Sequence, residues 1–154
     1  MTIWIDADSC PKSVREIVSR ASDRTGVPAV FVANRPVPLR RGRHVQTVVR
    51  ADADAHILAA IVPGDMVITR DIPLAARIVE QNICVMNDRG TLFTRENIGE
   101  RLSIRDYMKE LRESGAVLSQ KDQFGTKERA AFAATFDREL TRLLAHTSQQ
   151  GTQQ

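Results

Sequence analysis

The stretch that decides the fold is Ile3-Trp4-Ile5-Asp6-Ala7-Asp8-Ser9-Cys10-Pro11, near the start of a chain of 154 residues. Its apolar residues predict a buried β-strand, and two carboxylates follow that strand directly. A second segment, Met66-Val67-Ile68-Thr69-Arg70-Asp71, repeats this order of strand and acid. Because open α/β sheets hold ligands at the carboxyl ends of their strands, the two segments predict one shared site.

The composition indicates a single globular domain without a membrane span. The chain is 42% hydrophobic, enough for one sizeable core, and no apolar run approaches the roughly 20 residues that cross a bilayer. With two cysteines and no leader-like segment at its start, the sequence predicts a reducing, cytoplasmic setting. The net charge of +3 permits a polyanionic partner such as RNA without requiring one.

Strands alternate with helices over the first 90 residues of the sequence. This alternation predicts a three-layer α/β/α fold with a five-stranded parallel sheet in the order 3-2-1-4-5. The predicted strands span residues 2–6, 29–33, 45–49, 66–69 and 83–86. The predicted helices between them span residues 12–24 and 52–61 and a third segment that Asp71 caps.

Two further helices are predicted after Gly90, over residues 102–113 and 127–145. Each carries an apolar stripe at helical spacing, which we interpret as core packing, with a homodimer interface as the alternative. The stripes are Ile104, Tyr107, Met108 and Leu111, and then Phe132, Phe136, Leu140, Leu143 and Leu144. We therefore expect one domain over residues 1–146 and a disordered polar tail over residues 147–154.

The predicted strand order brings five strand-end and helix-end acids together. Carboxylates gathered in one place repel one another unless a divalent cation neutralises them, and Mg²⁺ and Mn²⁺ prefer such oxygen ligands. The candidate metal ligands are Asp6, Asp8, Asp54, Asp71 and Asp88, with Asp52 as the alternative to Asp54. Asp65 begins its strand at the opposite edge of the sheet, and we interpret it as a turn residue.

Such a cluster suits hydrolysis of a phosphodiester by metal-activated water, a mechanism that needs no protein nucleophile. Asp6, Asp8 and Asp71 are the candidate catalytic residues. Thr69 could bind a phosphate or a metal-bound water, or simply donate to a neighbouring carboxylate. The structural alternative is that Asp71, like Asp52, only caps a helix.

Several segments of the chain together resemble one known family: Asp6-Ala7-Asp8 with Cys10-Pro11, Asp52-Ala53-Asp54, Gly64 to Ala75, Asn87 to Phe93, and Asn97-Ile98. They are similar to the YaiI/YqxD family of uncharacterised bacterial proteins, and the resemblance extends to about Leu144. That family is grouped with PIN-like nucleases. The resemblance therefore implies a PIN-like fold and a metal-dependent ribonuclease site.

Within the wider PIN-like pattern, Asp6 resembles the first-strand acid and Asp88 the last acid. Thr69-Arg70-Asp71 resembles the Ser/Thr-x-Asp of the fourth strand. Asp54 resembles the acid of the mid-domain helix, although that acid is commonly Glu in PIN domains. The resemblance thus implies a role at the site for each of these residues.

Two other functions remain open from the sequence. A catalytically silent RNA-binding or regulatory module would use the basic loop after the second strand, where the candidate nucleic-acid contacts are Arg35, Arg40, Arg41 and Arg43. A phosphatase of the haloacid dehalogenase type would use Asp6-x-Asp8 as nucleophile and acid. The second is disfavoured because Gly64-Asp65 precedes a strand, whereas the corresponding metal-binding Gly-Asp of that class follows one.

Overall fold

A computed structural model describes residues 1–8, 10–39, 42–115 and 123–151. Over these residues the chain is α/β, with one five-stranded, all-parallel sheet in the predicted order β3-β2-β1-β4-β5. The observed strand bounds agree with the predicted ones within one residue. The strands are β1 (Ile3–Asp6), β2 (Ala29–Ala33), β3 (Val45–Val49), β4 (Met66–Ile68) and β5 (Cys84–Met86).

Helices cover both faces of the sheet, because successive strand residues point to opposite sides. Ile5 and Phe31 belong to a core filled by α1 and α5, whereas Val30 and Val67 belong to a second core filled by α2 and α3. This arrangement is the predicted three-layer fold. The helices are α1 (Lys12–Thr25), α2 (Ala53–Ala60), α3 (Ile72–Glu80), α4 (Ile98–Glu113) and α5 (Thr126–Gly151).

The last helix, α5, closes the α1 side of the sheet. Phe132 and Phe136 are fully buried and stack with their ring centroids 5.4 Å apart, as the predicted core stripe requires. No glycine or proline interrupts the sequence between Thr126 and Gly151, so the helix continues past its predicted end. Residues 147–151 of the predicted disordered tail are therefore helical, and residues 152–154 lie outside the described part of the chain.

The core role predicted for the apolar stripe of α4 is wrong. Ile104, Tyr107 and Met108 are 50%, 61% and 39% exposed, and none of the residues of α4 is buried. The helix begins one turn earlier than predicted, at Ile98, and packs on α3, with Leu102 half-buried in its first turns. Helical periodicity predicts an apolar face but does not determine whether another element covers it.

Asp65 fixes the amino-terminal edge of the sheet, opposite the predicted site. Its buried carboxylate accepts hydrogen bonds from the backbone N–H of Thr2 at 2.9 Å, the indole N–H of Trp4 at 3.0 Å and the backbone N–H of Val62 at 3.0 Å. These bonds tie the start of β1 to the turn before β4. Asp65 is thus a structural residue of that turn, and its carboxylate does not face the other acids.

None of the helices in the described ranges is both long and apolar enough to span a bilayer.

The turn after β5 is held against α5 at Gly90. This glycine has a φ of +86°, and a Cβ built on it would lie 2.4 Å from the carbonyl oxygen of Ala131. The carbonyl oxygen of Gly90 also accepts a hydrogen bond from the Thr135 hydroxyl at 2.8 Å. Only glycine fits this contact, which positions the loop that carries Asp88.

We therefore expect Gly90→Ala to lower the free energy of unfolding by about 2–5 kcal/mol, through both backbone strain and overpacking. Gly26→Ala is the matched control, because Gly26 also has a positive φ, +74°, but nothing lies within 4 Å of its added Cβ. In the control the free energy of unfolding should fall by only about 1–2 kcal/mol, because alanine disfavours the left-handed backbone conformation. Urea denaturation measures both, and equal losses would contradict the close packing of Gly90 on α5.

Candidate functional site

Four of the five predicted metal ligands, all but Asp88, line an open cleft of about 440 Å³ at the carboxyl edge of the sheet. The cleft lies where the strand order reverses between β1 and β4, which leaves the ends of these neighbouring strands uncovered. We call it the acid cleft. Its carboxylates are those of Asp6, Asp8, Asp52, Asp54 and Asp71.

A single hydroxyl joins the two strand ends. Thr69 Oγ1 donates a hydrogen bond to Asp6 Oδ2 at 2.9 Å and accepts one from the backbone N–H of Asp71 at 3.0 Å. Thr69 is only 2% exposed, and it does not line the acid cleft. The structure therefore places Thr69 as a donor to a carboxylate, which is one of its two predicted roles, and not as a contact for phosphate.

The other acids are held by backbone N–H groups. Asp71 Oδ1 accepts a hydrogen bond from the N–H of Leu74 at 3.0 Å and caps α3, as predicted, while Asp8 Oδ1 accepts one from the N–H of Asn34 at 2.8 Å. Asp52 caps α2 through the N–H of Ala55. Capping and a position on the cleft wall are compatible, because each of these bonds uses one of the two carboxylate oxygens.

The acids perturb one another strongly. Burial raises the pKa of Asp6, and the charges of Asp8 and Asp71 raise it further, against the lowering effect of the Thr69 hydrogen bond. The pKa of Asp54 is raised to about 7 by burial, by a hydrogen bond shared with Asp71 and by the neighbouring acidic charges. Asp54 thus retains its proton at pH values where isolated carboxyl groups are ionised.

The donor set fits a divalent cation in its chemistry. Carboxylate oxygens are the ligands that Mg²⁺ and Mn²⁺ prefer, and a cation would remove the repulsion that raises the pKa values of Asp6 and Asp54. In the described ranges, however, no three acidic, histidine or cysteine side chains converge closely enough to hold a metal ion. A cation would therefore have to draw the acid side chains together.

Asp88, the remaining predicted ligand, is not brought into the acid cleft. It is 3% exposed and forms an ion pair with Arg70, whose Nε donates to Asp88 Oδ2 at 2.6 Å. Its Oδ1 is buried without a hydrogen-bond partner, and with Asp6 and Cys10 it borders a cavity of about 10 Å³, close to the volume that one water occupies. The prediction overlooked Arg70, which lines the acid cleft and pairs with Asp88.

Arginines line the acid cleft, but they are not the ones that the sequence indicated. Arg35 and Arg43 are exposed on the loop after β2 and do not line the cleft, while Arg40 and Arg41 lie outside the described residues. The arginines of the cleft wall are Arg70, directly before Asp71, and Arg105 on α4. One turn before Arg105, Arg101 borders an adjoining cavity of about 210 Å³ that also contains Arg70.

Sequence reasoning missed these three arginines, although two signals for them were present. Arg70 is enclosed in the Thr-Arg-Asp segment itself, and Arg101 and Arg105 have the i, i+4 spacing that places side chains on one helix face. The structure thus gives the acid cleft a basic border on its α4 side.

Comparison with known proteins places these features in one family. Residues 4–142 match a family model described as an uncharacterised YaiI/YqxD family. The chain is 49% identical to a UPF0178 protein of Treponema pallidum, with 94% of this chain and 84% of that protein covered. It is 48% identical to a UPF0178 protein of Myxococcus xanthus, with 94% and 97% covered. No solved structure matches the chain.

The raised pKa of Asp54 predicts that the metal-free protein loses stability as pH increases. The folded state holds the Asp54 proton up to a pKa of about 7, whereas an unfolded chain releases it near 3.8, so the free energy of unfolding falls across this interval. Asp54→Asn should remove this part of the pH dependence and raise Tm at pH 8. Thermal melts in EDTA from pH 4 to pH 8 measure the effect, and parallel curves for the two proteins would contradict it.

The hydroxyl of Thr69 predicts a difference between two substitutions of similar size. Thr69→Val leaves the half-buried Asp6 carboxylate and the Asp71 N–H without their partner, which costs about 1–3 kcal/mol of unfolding free energy. Thr69→Ser keeps the hydroxyl and should lose only the packing of one methyl group, about 1 kcal/mol. Chemical denaturation distinguishes the two, and a serine variant as unstable as the valine variant would argue against the bridge.

Proposed function

This chain belongs to the YaiI/YqxD family of uncharacterised bacterial proteins, and from its acid cleft we propose that it is a divalent-metal-dependent nuclease that hydrolyses RNA phosphodiester bonds. The observation that carries the proposal is the cluster of Asp6, Asp8, Asp54 and Asp71 at the switch point of the sheet. Burial, and after it the charge of neighbouring acids, raises the pKa values of Asp6 and Asp54, as expected for a site that a cation would complete.

Asp6, Asp8, Asp54 and Asp71 would hold the metal. When bound, Mg²⁺ or Mn²⁺ supplies positive charge that polarises the phosphodiester and favours ionisation of water. Thr69 keeps Asp6 directed toward β4, and the α3 cap fixes one oxygen of Asp71 while its other oxygen remains for the cluster. Asp54, whose pKa is raised to about 7, would give up its proton when a metal binds, so that its carboxylate becomes available as a ligand.

The border of the acid cleft supports a phosphate polymer as the substrate. Arg70 and Arg105 lie in the same cleft as the acids, and Arg101 extends the basic border away from them. The guanidinium groups would contact phosphates that flank the scissile bond, without reading the bases. In the loop after β2, Arg35 and Arg43 are exposed and offer further phosphate contacts.

The phosphatase alternative loses support from the position of Asp65. That carboxylate accepts three hydrogen bonds at the amino-terminal edge of the sheet and is not among the residues of the acid cleft. It is therefore unsuited to serve as a second metal-binding acid beside Asp6. The silent RNA-binding alternative would use the arginines of the cleft border and of the loop after β2 in the same way as the nuclease. Only a cleavage assay therefore separates the two functions.

We expect the purified protein to cleave RNA with Mn²⁺ or Mg²⁺, and Asp71→Asn to reduce the rate about 100-fold or more. Asparagine is as good an N-cap as aspartate, so this variant removes a charge from the cluster while α3 stays capped. Asp6→Asn should behave similarly. Rates of cleavage of a labelled oligonucleotide measure the effect, with circular dichroism as the check on folding.

The matched control is Asp137→Asn, because Asp137 is exposed on α5, where it pairs with the exposed Arg24, and lies outside the acid cleft. It should leave the cleavage rate unchanged and exclude a contaminating nuclease as the source of the activity. If the wild-type protein binds RNA with a steep salt dependence but does not cut it with either metal, the nuclease proposal is wrong and the RNA-binding alternative stands.

A further inference from the structure

A second cavity, of about 350 Å³, lies between α1 and the segment that follows β2. Lys12, Arg15 and Arg20 line it together with a single acid, Glu16, so its border is positively charged. Glu16 lies 4.0 Å from Lys12 in an exposed pair, a contact of little energetic weight. We call it the α1 cavity, and its charge favours an anionic occupant.

In the described part of the chain, two buried polar atoms beside the α1 cavity have no hydrogen-bond partner. Ser19 is 2% exposed and its hydroxyl is unpaired, and Arg15 Nε is buried and unpaired as well. Ser22, three residues along the same helix, shows the usual arrangement, because its buried hydroxyl donates to the carbonyl oxygen of Val27 at 2.6 Å. Buried polar groups are rarely left unpaired, so Ser19 and Arg15 together indicate an absent partner.

The hydrogen-bonding chemistry of Arg15 Nε and Ser19 Oγ restricts which ligand could pair with them. An arginine Nε only donates hydrogen bonds, and a serine hydroxyl donates readily, so the occupant must offer acceptor oxygens. The surplus of basic side chains requires these oxygens to carry negative charge. Pro38 and Leu39 supply an apolar wall, which suits a ligand with a flat ring beside its anionic group.

Two segments of the chain each contribute one residue to the acid cleft and, four residues later, one residue to the α1 cavity. The β1–α1 connection contributes Asp8 to the acid cleft and Lys12 to the α1 cavity, and the chain after β2 contributes Asn34 to the first and Pro38 to the second. Because four residues span at most about 14 Å, the two members of each pair lie within that distance of each other. A short stretch of single strand in the acid cleft could therefore reach the α1 cavity.

We propose that the α1 cavity binds the phosphate of a nucleotide, with Arg15 Nε and Ser19 Oγ as donors and the base or sugar against Leu39. Both donor atoms are closed off in the free protein, so phosphate binding requires the half-buried Arg15 side chain, whose Nη1 donates to the carbonyl oxygen of Cys10, to shift and expose them. The phosphate belongs either to a free nucleotide or to the RNA strand in the acid cleft. Only the second source rests on the proposed nuclease function.

The test compares two buried serines of α1 in the full-length protein, with EDTA present so that no RNA is cut. We expect Ser19→Ala to raise Tm, because a buried unpaired hydroxyl disappears, and to weaken binding of 5′-AMP and of a short oligoadenylate about 3- to 10-fold. Ser22→Ala should lower Tm and leave both affinities unchanged. Calorimetry for AMP and fluorescence anisotropy for the oligoadenylate measure the affinities.

The two probes separate the sources of the phosphate. Weakened binding of the oligoadenylate alone supports an RNA strand that extends from the acid cleft, and weakened binding of AMP supports a free nucleotide. If Ser19→Ala changes neither affinity, or if it lowers Tm as Ser22→Ala does, the proposal is overturned. Since these measurements contain no metal and no cleavage step, they hold whether or not the wild-type protein proves to be a nuclease.

Discussion

The acid cleft depends on the bridge that the Thr69 hydroxyl makes between two strand ends. It donates to Asp6 and accepts from the N–H of Asp71, so β1 and β4 present their acids at a fixed separation. One hydrogen bond does not offset the burial of Asp6 and the charge of its neighbours, which together raise its pKa. The fold thus brings Asp6 beside other acids at the cleft without fully offsetting the effect of burial and of their charge on its pKa.

Asp65 and Asp6 show how one residue type serves two purposes at opposite edges of the same sheet. The carboxylate of Asp65 accepts three hydrogen bonds within the protein, and its role is to pair the start of β1 with β4. Asp6 receives one side-chain hydrogen bond and shares its surroundings with Asp8 and Asp71. A fully satisfied acid stabilises the fold, whereas an under-satisfied acid beside other acids indicates a binding site.

The sequence predicted what depends on local pattern. Strand order and the Asp71 cap follow from alternating elements and from residues adjacent along the chain. The Arg70–Asp88 ion pair could not be predicted, because it depends on where two side chains turn after the strands are placed. The exposure of α4 around Tyr107 and the unpaired state of the Ser19 hydroxyl could not be predicted either. Both depend on which distant parts of the chain pack against these residues, and the local sequence does not specify that.

The position of α5 after all five strands of the sheet has a consequence for biosynthesis. Phe132, Phe136 and Leu140 complete the same core as Ile5 of the first strand, so α1 alone covers this face of the sheet until α5 has been made. On a translating ribosome the N-terminal strands emerge first and cannot bury that face. Stable folding therefore awaits release of α5, and ribosomes stalled before α5 would leave a nascent chain whose partly uncovered apolar sheet is a substrate for chaperones.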